Sequence, residues 1–149
     1  MEKLNFPAYE FKIKRDSKGT QIFDIVRKKF VVLTPEEWVR QHAIHFLHFE
    51  RDFPLTLMGV EKEIKVNKMK KRFDLVCFNN EGNPHLICEF KQPKVSVSES
   101  TFMQVANYNV IMKAPVVYVT NGLDHYIAEI SFSDKTHKFL REIPNYSIQ

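Results

Sequence analysis

From Tyr9 to Leu33, apolar and polar residues alternate in YEFKIKRDSKGTQIFDIVRKKFVVL. A period of two is the mark of a half-buried strand. The polar DSKG run supplies a turn, so this segment predicts a small antiparallel hairpin or meander, closed by Val31–Leu33. The pattern changes at TPEEWVRQHAIHFLHFER. Thr34 suits an N-cap, Pro35 suits the first helical position, and Glu37 stands three residues after the cap. Trp38, Val39, Ala43, Phe46 and Phe49 form the expected inward stripe of this helix, and Pro54 lies beyond its end.

Three strands are expected next, at about Leu57–Val66, Arg72–Asn79 and His85–Lys91. The NNEGNP run between the last two is turn chemistry. After the loop QPKVSVSES, a second helix is expected at about Ser100–Lys113, with Phe102, Val105, Ala106, Val110 and Ile111 inward. APVVYVTNG reads as a short strand apolar on both faces, and HYIAEISF as another. The tail, DKTHKFLREIPNYSIQ, is weakly patterned and could form a short helix. Helix, three strands, helix, strand, behind a β decoration, predicts an α/β (α+β) chain: a mixed sheet with helices packed on it. Residues 1–33 would be the decoration, 34–122 the core, and 123–149 a closing strand and tail of the same domain.

Composition changes this picture little. The chain has 149 residues, enough for one domain with a real core, and is 44% hydrophobic and 27% charged. No apolar run approaches the roughly 18 residues of a membrane span. The first residues lack the basic-then-apolar pattern of a signal peptide, so the expected compartment is the cytoplasm, with no membrane partner. Cys77 and Cys88 lie in apolar runs and read as small core residues, with a redox pair as the alternative. His42, His45 and His48 recur every three residues on the first helix, but no acidic partner accompanies them, which argues against a metal site.

Charge becomes informative where it is clustered. The net charge is only +4. Within EIKVNKMKKR, however, Lys65, Lys68, Lys70, Lys71 and Arg72 fall close together. Such a cluster either attracts phosphates or is simply a solvated hairpin tip.

The sharper feature is HLICEFKQPK, where an apolar strand ends in Glu89 and Lys91. Charges in a sheet are costly unless paired, bound or used. Alternation places Glu89 and Lys91 on one face with Cα atoms about 6.6 Å apart, and Leu86, Cys88 and Phe90 on the other. Asp74 interrupts the preceding strand in the same way. The NNEGNP turn makes these strands antiparallel neighbours, which brings Asp74 toward Glu89 and Lys91. Two carboxylates and a backbone carbonyl can hold a hard divalent cation. Such an ion polarises a phosphoryl oxygen and activates water, while a lysine steadies charge developing on the phosphate. The plainer alternative is a salt bridge from Lys91 to Glu89 or Asp74 at a strand end.

Asp74 followed by Glu89-Phe90-Lys91 resembles the D…(D/E)-x-K motif of the PD-(D/E)XK nuclease superfamily, with Arg72-Phe73 where a proline often precedes the aspartate. TPEEWVRQ, RFDLVCFNNEGNPHLICEFKQPKVSVSESTFMQVANYN and APVVYVTNG together are similar to the N-terminal nuclease domain of type I restriction enzyme R subunits, in its small standalone form. The resemblance runs from about Thr34 to Gly122. It implies a restriction-endonuclease-like core. It also implies metal ligation by Asp74, Glu89 and the Phe90 carbonyl, with Glu37, or Glu36 beside it, as the acidic residue of the first helix. Gln104 and Tyr108 match the family's Q-x-x-x-Y pattern and would support the catalytic set Asp74, Glu89 and Lys91. The cofactor implied is Mg²⁺ or Mn²⁺.

These features together point to a metal-dependent DNA endonuclease-like domain, with Lys68, Lys70, Lys71 and Arg72 approaching DNA phosphates. No G-x-x-x-x-G-K-[ST] phosphate loop occurs. The 149 residues therefore hold no ATP-driven motor, and two arrangements stay open: a free-standing nuclease, or a module to which a motor or specificity partner delivers DNA. The alternative from another class is a non-catalytic nucleic-acid-binding or protein-interaction module on the same fold.

Overall fold

A computed structural model describes residues 1–66 and 68–147. The chain opens with a three-stranded antiparallel sheet, β1 (Ile13–Asp16), β2 (Gly19–Asp24) and β3 (Lys29–Val32). The DSKG turn joins its first two strands, as the alternation predicts. Helix α1 (Pro35–Arg51) follows. Its N-cap is Thr34, whose Oγ1 accepts the Glu37 N–H at 3.0 Å. A second sheet has six strands in sequence order: β4 (Met58–Val66), β5 (Met69–Phe78), β6 (Pro84–Phe90), β7 (Val116–Thr120), β8 (His125–Ser131) and β9 (Thr136–Leu140). Helix α2 (Glu99–Met112) is the crossover between β6 and β7, the one parallel pair in this sheet. All other neighbours are antiparallel. The result is a mixed α+β arrangement.

The two faces of the large sheet carry separate apolar clusters. Leu86, Cys88 and Phe90 of β6 join Leu75 and Cys77 of β5 against Val39, Ala43, Ile44 and Leu47 of α1. Ile87, Val76, Val117 and Val119 join Phe102, Val105 and Met112 of α2. Period-two alternation along β6 thus separates the two helices onto opposite faces. No helix among the described residues is long and apolar enough to cross a membrane.

Three expectations need correction. The tail is a strand, not a helix: β9 pairs antiparallel with β8 through Ile127↔Leu140 to Ser131↔Thr136. It is an edge strand with mostly exposed residues, so its sequence carries no apolar alternation. Val110 points outward on α2, and Asn109 is buried instead. The Asn109 side chain donates to the Ala114 carbonyl at 2.7 Å and accepts the Ala114 N–H at 2.9 Å, fixing the turn into β7. Phe49 is exposed near the end of α1, while polar Gln41 and His45 are buried. The expected stripe misses these because α1 is covered on more than one side. Phe6, Tyr9 and Phe11 pack onto its histidine-bearing face. Nδ1 of His42, His45 and His48 each contacts a backbone carbonyl oxygen at 2.8–2.9 Å. Among the described residues, no group of three or more His, Cys, Asp and Glu side chains is arranged to hold a metal. Cys77 and Cys88 are buried free thiols, both pushed up by desolvation. That environment keeps a thiol inert.

Candidate active site

The site lies in a corner made by unequal strand lengths. β6 ends at Phe90, and its pairing with β5 runs from Phe78↔Pro84 to Leu75↔Cys88. The β4–β5 hairpin continues past that point, from Lys62↔Phe73 to Val66↔Met69. It therefore overhangs the end of β6, carrying the basic cluster with it. Asp74 sits where the overhang begins.

Alternation breaks at Asp74. Leu75 and Cys77 face α1 and Val76 faces α2, as a period of two requires. Phe73 also belongs to the α2-side cluster, so the phase slips by one across Asp74. Opposite it, between the pairs Val60↔Leu75 and Lys62↔Phe73, lies Glu61 with φ 52°. A left-handed conformation at a non-glycine residue is strained, and strand irregularities of this kind recur beside functional sites. Its effect here is to direct the Asp74 carboxylate toward β6. Asp74 Oδ2 accepts the Phe90 N–H at 2.7 Å.

Glu89 lies beside it, 8% exposed, in the α2-side half of the corner. Its Oε1 is buried with no hydrogen-bond partner, and the nearest cation is Lys71 Nζ at 3.6 Å. Desolvation, then the Asp74 charge, push the Glu89 carboxyl up to about 7, with Lys71 and Lys91 pulling the other way. The ion pair Glu89 makes is thus with Lys71, whereas a strand-end salt bridge with Lys91 was the sequence alternative. Lys91 is half-buried just past β6, its N–H donating to the Thr120 carbonyl at 2.9 Å. Its charge acts on Glu89 and also on Glu36 of α1.

The acidic residues of the first helix separate cleanly. Glu37 accepts Nη2 of Arg27 (2.9 Å) and of Arg40 (2.6 Å) on Oε1, and Nε of Arg40 and Nε2 of Gln41 (2.9 Å each) on Oε2. A carboxylate offers about four acceptor sites, so no position is left for a metal. Burial alone would raise its pKa, but those hydrogen bonds and the two arginine charges bring it below the ordinary value. Glu36, one residue earlier, lies at the surface and senses the corner. Its carboxyl is raised by desolvation and then by Asp74, against Lys91 and Arg40. Of the pair named from sequence, Glu36 feels the Asp74 charge and Glu37 braces the fold.

Tyr108 and Gln104 sit one turn apart on α2, both exposed. Tyr108 meets the corner through Lys71, whose Nζ lies 4.8 Å from its ring centroid. Of the basic cluster, Lys70 and Arg72 each stand 3.9 Å from Glu63 of β4, Lys68 is exposed at the hairpin tip, and Lys71 alone turns to the acids. Lys71 was therefore placed by sequence among phosphate-contacting residues, and its pairing with Glu89 was missed. Cross-strand packing decides this, and no local signal carries it.

The residues present fit a hard divalent cation. Two carboxylates lie in one corner, one with a buried oxygen lacking any hydrogen bond, and desolvation followed by the Asp74 charge raises Glu89. A small cation commonly takes one or two carboxylates and completes its shell with water, so the absence of a third ligating side chain is compatible with this.

Comparisons with known proteins agree with the architecture. Residues 35–144 match the family model described as type I restriction enzyme R protein N terminus. Among curated proteins, none matches the chain. A solved fragment assigned as an HsdR subunit of a type I restriction enzyme from Vibrio vulnificus YJ016 shares the fold with a TM-score of 0.54 at 20% identity. That alignment covers 76% of this chain and 24% of the other, so the chain spans about a quarter of the chain it resembles. The chain belongs to the family of type I restriction enzyme R protein N-terminal regions.

Proposed function

We propose that the chain is a Mg²⁺- or Mn²⁺-dependent phosphodiester hydrolase of the PD-(D/E)XK kind, with a restriction-endonuclease-like core, acting on DNA. The observation that carries this reading is the buried Oε1 of Glu89, which has no hydrogen-bond partner, in a carboxyl that the Asp74 charge reaches, two residues before Lys91 at the strand's end. Asp74, Glu89 and the Phe90 carbonyl would hold the cation, with Glu36 as the acidic residue of the first helix. When bound, a divalent cation supplies Lewis-acid polarisation of a phosphoryl oxygen and a more acidic water.

The remaining work belongs to the chain. The Phe90 N–H fixes Asp74 Oδ2, so one acid is oriented before any substrate arrives. Lys91 follows the strand end directly, and its ammonium would orient the attacking water and offset charge growing on the phosphate. The overhanging hairpin presents Lys68, Lys70 and Arg72 to the phosphate backbone, giving salt-dependent binding with little base preference. Tyr108 and Gln104 flank the corner from α2. DNA delivery would fall to a motor or specificity partner, as the family's place in type I restriction suggests.

Incubation with plasmid and linear DNA in Mg²⁺ or Mn²⁺, beside Glu89→Ala and Lys91→Ala, tests the assignment. Lys91→Ala is expected to lose about 100-fold or more in rate, the scale of one preorganised charge. Cleavage surviving in both variants removes the site. The second reading, a binding module, is favoured by the basic hairpin tip. It prevails if wild type binds DNA in a salt-sensitive way yet never cuts.

A further inference from the structure

We propose that Lys71 is the resident counter-ion of the site: its ammonium balances Glu89 until a divalent cation binds, then turns to a phosphate of the nucleic acid. The inference rests on the reading of Asp74 and Glu89 as metal ligands.

Three observations carry it. Lys71 Nζ is 3.6 Å from Glu89 Oε1, the same oxygen that has no hydrogen-bond partner. At that distance the contact is electrostatic without being a hydrogen bond, so the oxygen is neutralised but not committed. In that same position the ammonium lies 4.8 Å from the Tyr108 ring centroid and 5.5 Å from that of Phe73. Aromatic faces hold a cation without consuming its donors. Finally, Lys70 and Arg72 both pair with Glu63, and alternation sends Lys71 alone to the other face of β5.

A divalent ion between the two carboxylates would repel an ammonium a few ångströms away. The long lysine stem lets its head move while the methylenes stay packed. The Lys71 side chain is 30% exposed, at the rim toward the overhanging hairpin where phosphates would arrive. Tyr108 accordingly serves Lys71 as a positioning residue.

The test measures Mn²⁺ affinity by calorimetry and by the electron paramagnetic resonance signal of free Mn²⁺. Lys71→Met is expected to bind Mn²⁺ about tenfold more tightly than wild type, because a competing charge is gone. Lys71→Arg, which keeps that charge, should match wild type. Binding to a short duplex is then followed against salt in a Lys91→Ala background, so that the strand is not cut. With Mn²⁺ present, Lys71→Met should flatten the slope of log K against log salt by about 0.9, the share of one phosphate contact. Without Mn²⁺ the slope should not change. Thermal melts check folding, and Lys71→Gln replaces the Met variant if that fails to fold. Equal or weaker Mn²⁺ affinity in Lys71→Met overturns the proposal while leaving the metal site standing. A slope change without Mn²⁺ also overturns it, since the ammonium would already be on the phosphate. Wild type that binds no Mn²⁺ removes the proposal and the metal-site reading together.

Discussion

Glu89→Gln should stabilise the protein at alkaline pH and leave it nearly unchanged in acid. In the fold the Glu89 carboxyl ionises near 7, against an ordinary value of 4.5, through desolvation and then the Asp74 charge. A carboxyl raised on folding holds its proton more tightly in the native state. Above its unfolded value the unfolded chain gives up that proton first, so stability is lost as pH rises toward the folded value. With these two values, the loss is under about 1 kcal/mol near pH 5 and on the order of 3 kcal/mol near pH 8. Glutamine keeps the shape and removes the ionisation, so the variant should gain about 2 kcal/mol over wild type between those pH values. Urea denaturation of both proteins at each pH measures this. Saturating Mg²⁺ at the higher pH should recover stability in wild type and not in the variant, because a ligand stabilises only the state that binds it. A stability difference that is the same at both pH values would refute the reasoning, since Glu89 would then titrate normally.

Three further outcomes are expected. Glu37→Ala should cost about 3 kcal/mol in urea denaturation, because it removes the carboxylate that Arg27 and the buried Arg40 share and leaves them only Asp24 and the half-exposed Glu61. Glu36→Ala should leave stability within about 0.5 kcal/mol, as surface changes usually do, yet weaken Mn²⁺ binding. The reverse pattern would make Glu37 the ligand after all. Gly122→Ala should lower the melting temperature by several degrees: Gly122 has φ +88°, and an added Cβ would stand 2.9 Å from a Leu4 methyl. A non-glycine residue held there costs about 1–3 kcal/mol, and an unchanged melting temperature would show that the Leu4 segment yields.

What could be read from the sequence was local. Thr34-Pro35 announces α1, NNEGNP announces the β5–β6 turn, and alternation through Ile87 and Glu89 assigns faces correctly. What could not be read depends on partners distant in sequence. Asn109 is buried because the backbone of Ala114 needs it, five residues on and past the helix end. Val110 looks inward by composition but lies about 100° further round the helix from Asn109. β9, THKFL, shows no apolar alternation, because an edge strand is held largely by its backbone pairing. At the site, the slip at Asp74 reverses the simple prediction. Strict alternation would have grouped Phe73 with Leu75, whereas Phe73 packs toward α2 and Asp74 turns in toward Phe90.

A chain of ion pairs on the α1 side of the corner ends at the same slip. Asp24, at the end of β2, holds Arg27; Arg27 and Arg40 share Glu37; Arg40 reaches Glu61 at 3.3 Å. This chain of ion pairs joins the small sheet, α1 and β4. Its last member is the strained residue opposite Asp74. Buried ion pairs add little net stability against apolar packing of the same volume, but they specify one geometry. The geometry specified here is that of the first turn of α1 against the kink in β5, the two elements that bring Glu36 and Asp74 together. Arg40 also lends its positive field to both acids. It thereby offsets part of the repulsion between Glu36 and Asp74. Replacing the network with apolar side chains would therefore threaten the site before it threatened the fold.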